Sequence, residues 1–300
     1  MIGAVRRLGR RAASFFSRPA QAAECRRPDR LDKRPDHLFA SPYVATSTPV
    51  WTMIVLFTDF GLAGPYVGQV KAVLHRDAPG IPVVDLMATA PAFDPKAAAY
   101  LLAAYALDFP AGAVFFAVVD PGVGGAREPG VVESDGRWYV GPMNGLFEMV
   151  VRRARNTPRW WRIDWRPPGL SRTFHGRDLF APVAARIGKG KMPADGADFR
   201  ALPIDRIRCP AWPDDLDQVV FIDDFGNAMT GRRAATVPPG SDLSVAGRTL
   251  GQARQFNEMA AGQAFWYENA NGLLEIAVGR GSAREVLGLS IGSQVSVRKK

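Results

Sequence analysis

The pattern of hydrophobic and polar positions changes along the chain and predicts two regions of different architecture. From Met53 onward, short apolar runs typical of buried strands alternate with stretches of helical spacing. Strands are predicted at residues 53–57, 82–86 and 113–119, and helices from about Pro65 and over 94–107, with Asp94 as the N-cap. This β-α-β-α-β order predicts an α/β domain with a mostly parallel central sheet.

The pattern after the third strand predicts a hairpin, two helices, a linker and a second domain. The hairpin spans 130–141 and the helices span 145–155 and 180–187. Beyond Asp217, short apolar runs separated by glycine-rich turns favour a smaller all-β domain, a barrel or a sandwich. The predicted division is an N-terminal tail (1–52), an α/β domain (53–190), a linker (191–214) and a β-barrel-like domain (215–300).

The first 52 residues are rich in Arg, Ala and Pro and have no sustained period. Such a composition is typical of disorder, although an over-extended reading frame that should begin at Met53, or a targeting peptide, would give the same pattern. This tail holds ten Lys/Arg and four Asp/Glu, so it carries +6 of the net +9, and the other 248 residues carry only +3. A folded body of such low charge argues against a nucleic-acid partner.

The remaining composition narrows the class of protein further. No apolar run approaches the roughly 20 residues that cross a bilayer, so no membrane association is expected. The two cysteines, Cys25 and Cys209, give neither a disulfide framework nor a metal-ligand spacing. Their scarcity indicates a reducing compartment, and we expect the protein to be cytoplasmic.

A strand-end loop at 118–127 is the first candidate for chemistry. The predicted third strand ends at Asp120, and Pro121 and three glycines separate this carboxylate from Arg127. Open α/β sheets bind ligands at the carboxyl ends of their strands, where a tight glycine-rich loop could bring Arg127 beside Asp120. A surface ion pair at a strand-to-turn junction is the alternative interpretation.

Two further polar residues are candidates for the same crevice. Asp59 follows the first strand, where a carboxylate can bind the hydroxyls of a ribose or can simply cap a helix. His175 is one of only three histidines, and its ordinary pKa makes it available as a base near pH 7. A lone histidine is more often structural than catalytic.

The second region contains one candidate ligand-binding segment, residues 221–227. Phe225 could stack on an adenine, and the amide of Asn227 could both donate to and accept from its edge. Asp223 or Asp224 could pair with an ammonium group. A β-bulge or turn with Gly226 at positive φ would also explain the glycine.

Five motifs in order make the chain resemble a known family from Met53 to the C-terminus. The family is the S-adenosyl-L-methionine (SAM) hydroxide adenosyltransferases, the adenosine-forming SAM hydrolases related to the bacterial fluorinase and chlorinase. The motifs are Thr58-Asp59-Phe60-Gly61 with Gly64-Pro65-Tyr66-Val67-Gly68, Asp120-Pro121-Gly122-Val123-Gly124 with Arg127, Gly141-Pro142 with Asn144-Gly145, Thr173-Phe174-His175-Gly176-Arg177-Asp178, and Ile222-Asp223 with Phe225-Gly226-Asn227.

The resemblance implies a role for each candidate residue. Asp120, Arg127 and His175 would form the triad that holds and activates water, and Asp59 would bind the ribose diol. The remaining substrate contacts would be Phe93, Thr173 and Phe174 in the same pocket, Phe225 and Asn227 on adenine, and Asp223 on the methionine ammonium. It also implies a homotrimer, with each site between the α/β domain of one subunit and the β-barrel of the next.

The implied activity is hydrolysis of SAM to adenosine and L-methionine. SAM is then the substrate, and no metal or other cofactor is expected. His175-Gly176 stands where the halogenases have a non-histidine residue followed by serine, and their long insertion is missing, so water is the expected nucleophile. A halide-dependent adenosyl transferase remains an alternative, and so does a SAM- or adenosine-binding sensor without turnover. Met143, Met87-Ala88 and Gly231 depart from the family pattern, and Met143 makes the sensor conceivable.

Overall fold

The computed structural model describes residues 52–298. The predictions of disorder, over-extension or targeting for the tail therefore lie outside the described residues, apart from Thr52 itself. Cys25 also lies outside them.

The first region contains seven strands and four α-helices. The strands are β1 (Ile54–Thr58), β2 (Val83–Met87), β3 (Val114–Val118), β4 (Pro129–Ser134), β5 (Arg137–Pro142), β6 (Arg159–Ile163) and β7 (Phe199–Leu202). The helices are α1 (Tyr66–Asp77), α2 (Pro95–Tyr105), α3 (Glu148–Arg152) and α4 (Ala181–Gly188), and a π-helical turn spans Gly176–Phe180.

All seven strands form one sheet in the order β2-β1-β3-β5-β4-β6-β7. The pairings of β1 with β2, β1 with β3, and β3 with β5 are parallel, whereas β4 is antiparallel to both its neighbours and β7 is antiparallel to β6. Five of the seven strands consequently run in one direction. The predicted α/β fold with a mostly parallel sheet is confirmed.

Local sequence explains the two helices that precede β3. Pro65 occupies the N-cap of α1, whose residues Val70 and Leu74 are buried against the sheet. Asp94 caps α2 as predicted, because its Oδ1 accepts from the backbone N–H of Ala97 at 2.9 Å. Every residue from Ala97 to Tyr105 is buried, since α2 lies between the sheet and the second region.

The segment 191–214 differs from the predicted linker. It contains β7, which pairs with β6 at the edge of the large sheet, and a short 3₁₀-helix at Ile204–Ile207. Strand β6 itself was not predicted, and the helix predicted over 145–155 is reduced to α3. The first region's sheet therefore extends further along the chain than the apolar pattern indicates.

The second region contains seven strands and one short helix. These are β8 (Leu216–Ile222), β9 (Ala228–Arg233), β10 (Asp242–Val245), β11 (Arg248–Leu250), β12 (Ala264–Glu268), β13 (Leu273–Val278), α5 (Ala283–Leu287) and β14 (Val295–Arg298). They form two antiparallel sheets, β12-β13-β9-β8 and β11-β10-β14.

Single bridges join the two small sheets at both edges. Gln218 pairs with Gln294 beside β14, and Gln252 beyond β11 pairs with Trp266 of β12. The interior contains Val219, Leu274 and Ile276, all fully buried. This closure fits the barrel-like interpretation and leaves few unpaired strand edges.

The two regions are packed directly together. The Tyr100 hydroxyl of α2 donates to the Pro213 carbonyl at 2.5 Å. A Cβ on Gly231 of β9 would lie 2.7 Å from the Cβ of Leu216 and 3.2 Å from the ring of Tyr100. Gly231, one of the departures from the family pattern, therefore permits close packing at this contact. None of the helices within residues 52–298 has the length and apolar character that crossing a membrane requires.

Candidate active site

The parallel pairing of β1 and β3 brings two carboxylates to one edge of the sheet. Thr58 is opposite Val118 in the register, so Asp59 and Asp120 both lie just beyond the strand ends. The backbone N–H of Asp59 donates to the Val118 carbonyl at 3.4 Å. Both acids therefore face the crevice that the sequence predicts for this edge.

Asp120 and Arg127 form a bidentate ion pair. Arg127 Nε donates to Asp120 Oδ2 at 2.9 Å, and Arg127 Nη2 donates to the same oxygen at 2.5 Å. The side chains of Arg127 and Asp120 are only 9% and 5% exposed, and the guanidinium lies over the ring of Phe180, 5.3 Å from its centroid. The surface ion pair weighed as an alternative is therefore excluded, because this pair is buried.

The glycines between Asp120 and Arg127 allow their loop to touch the loop that precedes His175. Gly125 N–H donates to the Gly122 carbonyl at 2.9 Å and closes the turn. Gly124 has φ +77°, and a Cβ there would lie 2.5 Å from the carbonyl oxygen of Arg172. Only glycine allows both the left-handed backbone and this close approach.

His175 completes a hydrogen-bonded chain with the ion pair. It directly precedes the π-helical turn, and Arg127 Nη2 lies 3.0 Å from its Nδ1. Because a guanidinium has donors and no acceptor, we assign Nδ1 as the acceptor and place the imidazole proton on Nε2. Burial, followed by the charge of Arg127, lowers the pKa of His175 below its ordinary 6.5, so the ring is neutral at pH 7.

Asp59 is held against the loop that carries Phe93. The Phe93 N–H donates to Asp59 Oδ2 at 3.2 Å, although Phe93 has φ 60°, a strained value for a residue with a side chain. Such strain is concentrated at functional sites. Burial is the main cause that raises the pKa of Asp59 above 3.8, and the negative charge of Asp120 contributes to the rise.

One cavity of about 520 Å³ collects most of the predicted residues of the first region. Asp59, Phe93, Asp120, Thr173, Phe174 and His175 line it, and Arg127 lies behind Asp120 and His175. Its volume is in the range of small-molecule sites. Sequence reasoning gave no role to the other lining residues, although several of them belong to the motifs; they are Phe60, Tyr66, Gln69, Val118, Val123, Ser171, Gly176 and Arg177.

The cavity's supporting contacts also include a residue to which no role was given. Asn144 donates from Nδ2 to the Val119 carbonyl at 2.9 Å and accepts from the Leu146 N–H at 3.3 Å. It thereby fixes the backbone directly before Asp120. The motif that contains Asn144 was the available signal, but the sequence does not reveal which carbonyl the amide holds.

A second cavity, of about 600 Å³, contains the candidates of the second region. Asp223, Phe225 and Asn227 line it, together with Phe256, Tyr267, Glu275, Val278, Arg280 and Gly281. Within residues 52–298, no side chain lines both this cavity and the one at Asp120. A single chain thus does not bring the two predicted halves of the site together.

The loop 223–227 is built around the Asp223 carboxylate. Asp223 Oδ1 accepts from the N–H of Asn227 at 2.8 Å, and Oδ2 accepts from Asn227 Nδ2 at 3.0 Å. Gly226 has φ +81°, as the turn interpretation predicts, and a Cβ there would lie 2.1 Å from Ser282 Oγ. The loop holds Phe225 with its side chain 80% exposed at the cavity.

A buried carboxyl group lies beside this loop and was not predicted. Glu275 accepts from the Tyr267 hydroxyl at 2.5 Å and from Asn269 Nδ2 at 2.8 Å. Burial raises the pKa of Glu275. Asn269 also accepts from the N–H groups of Asn271 and Leu273, both at 3.0 Å, so its amide is engaged in holding the β12–β13 turn.

Comparison with known families matches almost all of the described chain. The model of the SAM hydroxide adenosyltransferase N-terminal domain matches residues 54–196, and that of the C-terminal domain of the same family matches residues 217–296.

Individual relatives match over similar lengths. The chain is 42% identical over 255 residues to a Thermus thermophilus protein named (R)-S-adenosyl-L-methionine hydrolase, covering 81% of this chain and 98% of that protein. A Salinispora arenicola protein with the same name is 36% identical, covering 84% and 98%. A crystal structure of an uncharacterized conserved protein from Thermotoga maritima superimposes with a TM-score of 0.68 at 29% identity, covering 82% of this chain and all of that one.

Proposed function

The chain belongs to the SAM hydroxide adenosyltransferase family, and from this premise we propose that it hydrolyses SAM to adenosine and L-methionine. The observation that carries the proposal is the hydrogen-bonded chain Asp120–Arg127–His175 at the wall of a cavity that also contains Asp59. This arrangement can hold one water molecule beside a bound nucleoside.

The reaction makes few chemical demands on the protein. Water forms a bond to the 5′-carbon of SAM, the bond from that carbon to sulfur breaks, and the electron pair stays on sulfur. The leaving group is the neutral thioether of methionine, so it needs no general acid. One proton must leave the attacking water. Alignment of water with the carbon–sulfur bond can contribute about 7–11 kcal/mol to lowering the barrier.

The tautomer of His175 divides the work between the two groups that face the water. Since Nδ1 accepts from Arg127, the imidazole presents its Nε2–H to the cavity and can donate to the water oxygen. Asp120 lines the same cavity and has only acceptors as a carboxylate, so we propose that it receives the proton. Arg127 stays charged and balances Asp120 throughout the reaction.

The other residues of the first cavity would bind the nucleoside and exclude water. Asp59 as a carboxylate can accept from both hydroxyls of the ribose. Phe93 and Phe174 would cover the sugar and the sulfonium, and Thr173 would line the same wall. An electron-rich aromatic face next to a sulfonium cation is favourable in the way that cation–π contacts are.

We propose that a second copy of the chain completes each site. Phe225 and Asn227 would hold the adenine and Asp223 the methionine ammonium, but these residues line a cavity separate from that of Asp120. Phe93 and Phe225 are 78% and 80% exposed, so a single chain covers neither of these large apolar side chains. A homotrimer with sites between subunits, as the family resemblance implies, would cover both.

The two alternative functions receive less support. Met143, the departure that motivates a sensor without turnover, packs against Gly130 and is absent from the described residues that line either cavity. The Asp120 carboxylate at the cavity wall favours a water molecule, which can donate to it, over a halide anion, which it repels. Neither metal nor cofactor enters the proposed steps, and the scarcity of cysteine supports a cytoplasmic enzyme.

The test is incubation with SAM in ¹⁸O-labelled water, followed by mass spectrometry of the products. The proposal expects adenosine with one ¹⁸O on the 5′-carbon and an equal amount of methionine, and neither with heat-inactivated protein. A sensor would bind SAM in calorimetry and give no product. A 5′-chloroadenosine product that appears only with added chloride would identify a halide transferase instead.

A further inference from the structure

A third cavity is larger than the two at Asp120 and at Asp223. It has a volume of about 710 Å³ and lies between α1, α4 and the segment 165–169. Arg177, in the Gly176–Phe180 turn, lines both this cavity and the one at Asp120, and its neighbour Asp178 lines only the larger one. We call it the α1–α4 cavity.

Basic side chains dominate its wall. The cations are Arg76, Arg177, Arg186, Lys189 and Lys191, and only Asp77 and Asp178 carry the opposite charge. A concave wall with a net charge of +3 concentrates the field and attracts anions, and the effect exceeds that of cations spread over a flat surface. The charge therefore selects an anionic ligand.

Three of the basic groups are already oriented. Arg186 lies over the ring of Trp165, 4.1 Å from its centroid, and donates to Asp198 at 3.0 Å. Arg76 and Arg177 pair with the adjacent Asp77 and Asp178 at 2.7 and 2.6 Å. A planar guanidinium held in this way is suited to bidentate contact with phosphate oxygens.

The two lysines differ from the arginines. Lys189 and Lys191 follow the C-terminus of α4, and within residues 52–298 neither forms a direct salt bridge, although the charge of Lys189 contributes to lowering the pKa of Asp77. Their contribution to binding is therefore not offset by breaking an internal pair. We propose that the α1–α4 cavity binds a small polyphosphate anion, either an inorganic chain or the phosphates of a nucleotide.

The position of Arg177 predicts a consequence for the first cavity. Arg177 also lies over Phe174, 5.2 Å from the ring centroid, and its partner Asp178 accepts from the Ser171 N–H at 3.0 Å. A phosphate that draws Arg177 away from Asp178 changes contacts of Ser171 and Phe174, both of which line the first cavity. π-Helical turns of this kind are frequent at functional sites.

Binding is tested by calorimetry with tripolyphosphate and, separately, with ATP in the presence of saturating adenosine, which blocks an adenine site. The variant is Lys189→Ala with Lys191→Ala, which touches no residue placed in the catalytic machinery. The control is Arg248→Ala with Arg284→Ala, which removes two exposed charges elsewhere. We expect the affinity to fall about tenfold for each lysine removed and to be unchanged in the control.

Equal binding of the two probes would identify the phosphate chain as the ligand, and tighter binding of ATP would identify a nucleotide. Failure of both probes to bind at physiological salt, or an equal loss in the control variant, overturns the proposal. The coupling between the α1–α4 cavity and the first cavity is measured separately, and this measurement rests on the proposed function. Tripolyphosphate should change the KM for SAM by about fivefold or more in the wild type and not in the double-lysine variant. If the protein does not turn over SAM, the KM cannot be measured, but the calorimetric test of anion binding still holds.

Discussion

At the residue scale, Asp120 is the group on which the proposed proton transfer depends. Asp120→Asn keeps the shape of the side chain and removes the negative charge that accepts the proton. We expect kcat to fall about 10²- to 10⁴-fold with little change in KM, because the ribose contacts stay intact. Adenosine formation measured by chromatography checks this. Asp85→Asn, which changes another carboxylate beyond the cavity, should retain full activity, and a kcat unchanged in Asp120→Asn would remove the proposed acceptor.

His175 predicts the pH dependence of turnover. The proposed reaction needs the neutral imidazole, and burial and Arg127 lower its pKa below 6.5. The kcat should therefore stay level as the pH falls to about 6.5 and decline only below it, as the ring gains a proton. Steady-state kinetics across this range measures the decline. A midpoint above 6.5 would mean that the protonated ring is stabilised, contrary to the assigned tautomer.

The same shift has a consequence for stability. An unfolded chain takes up a proton on His175 near pH 6.5, before the folded protein does, so the folded state loses stability relative to the unfolded state as the pH falls through this range. This destabilisation by His175 is largest at pH values below its lowered pKa in the folded protein, and it vanishes above pH 6.5. Chemical denaturation at several pH values, compared with His175→Gln, isolates this contribution from those of the carboxylates.

Asp59 is predicted to act on binding instead of turnover. Asp59→Asn replaces an oxygen that can accept from a ribose hydroxyl by a donor, so we expect KM to rise about 10- to 100-fold with kcat changed much less. Because the pKa of Asp59 is raised, KM should also rise as the pH falls toward the acid range, where the carboxyl becomes neutral. An Asp59→Asn variant with unchanged KM would contradict the proposed ribose contact.

At the scale of elements, the contact between the two catalytic loops depends on Gly124. A Cβ at Gly124 would approach the Arg172 carbonyl to 2.5 Å, so Gly124→Ala should separate the loops and lower kcat at least tenfold while the fold persists. Gly68→Ala is the matched control, since a Cβ at Gly68 of α1 has no heavy atom within 4 Å in the described chain. Activity assays together with circular dichroism distinguish loss of the contact from unfolding.

The elements that sequence reasoning predicted are those with a strong local signal. The Asp94 cap, the Pro65 start of α1 and the apolar run of β3 were each determined by neighbouring residues. Strand β7 was not, because it is a short edge strand whose stability comes from pairing with β6, a contact distant in sequence. Helix α3 is shorter than predicted because periodicity does not set where a helix ends.

At the scale of the molecule, the motifs indicated which residues belong to a site, whereas the proposal that two chains supply them rests on the family resemblance. The motif at Asp120 and the motif at His175 converge because β3 and the π-helical turn are packed in one region. The motif at Phe225 lies in another cavity, and no local pattern reveals that separation. The tautomer of His175 likewise follows only from the position of Arg127, 48 residues away.

Complementation between two inactive variants tests whether subunits share a site. Asp120→Asn disables only the first cavity, and Asn227→Ala disables only the second, so each homo-oligomer should be inactive. If each site joins the first cavity of one chain to the second cavity of its neighbour, random co-assembly of equal amounts makes about a quarter of the sites intact, one half multiplied by one half. Co-expression with two affinity tags and sequential purification yields the mixed oligomers. Because this purification removes the homo-oligomers and each mixed trimer has one intact site among its three, activity near a third of the wild type supports the shared site. Mixed oligomers without activity would instead require both cavities to act within one chain.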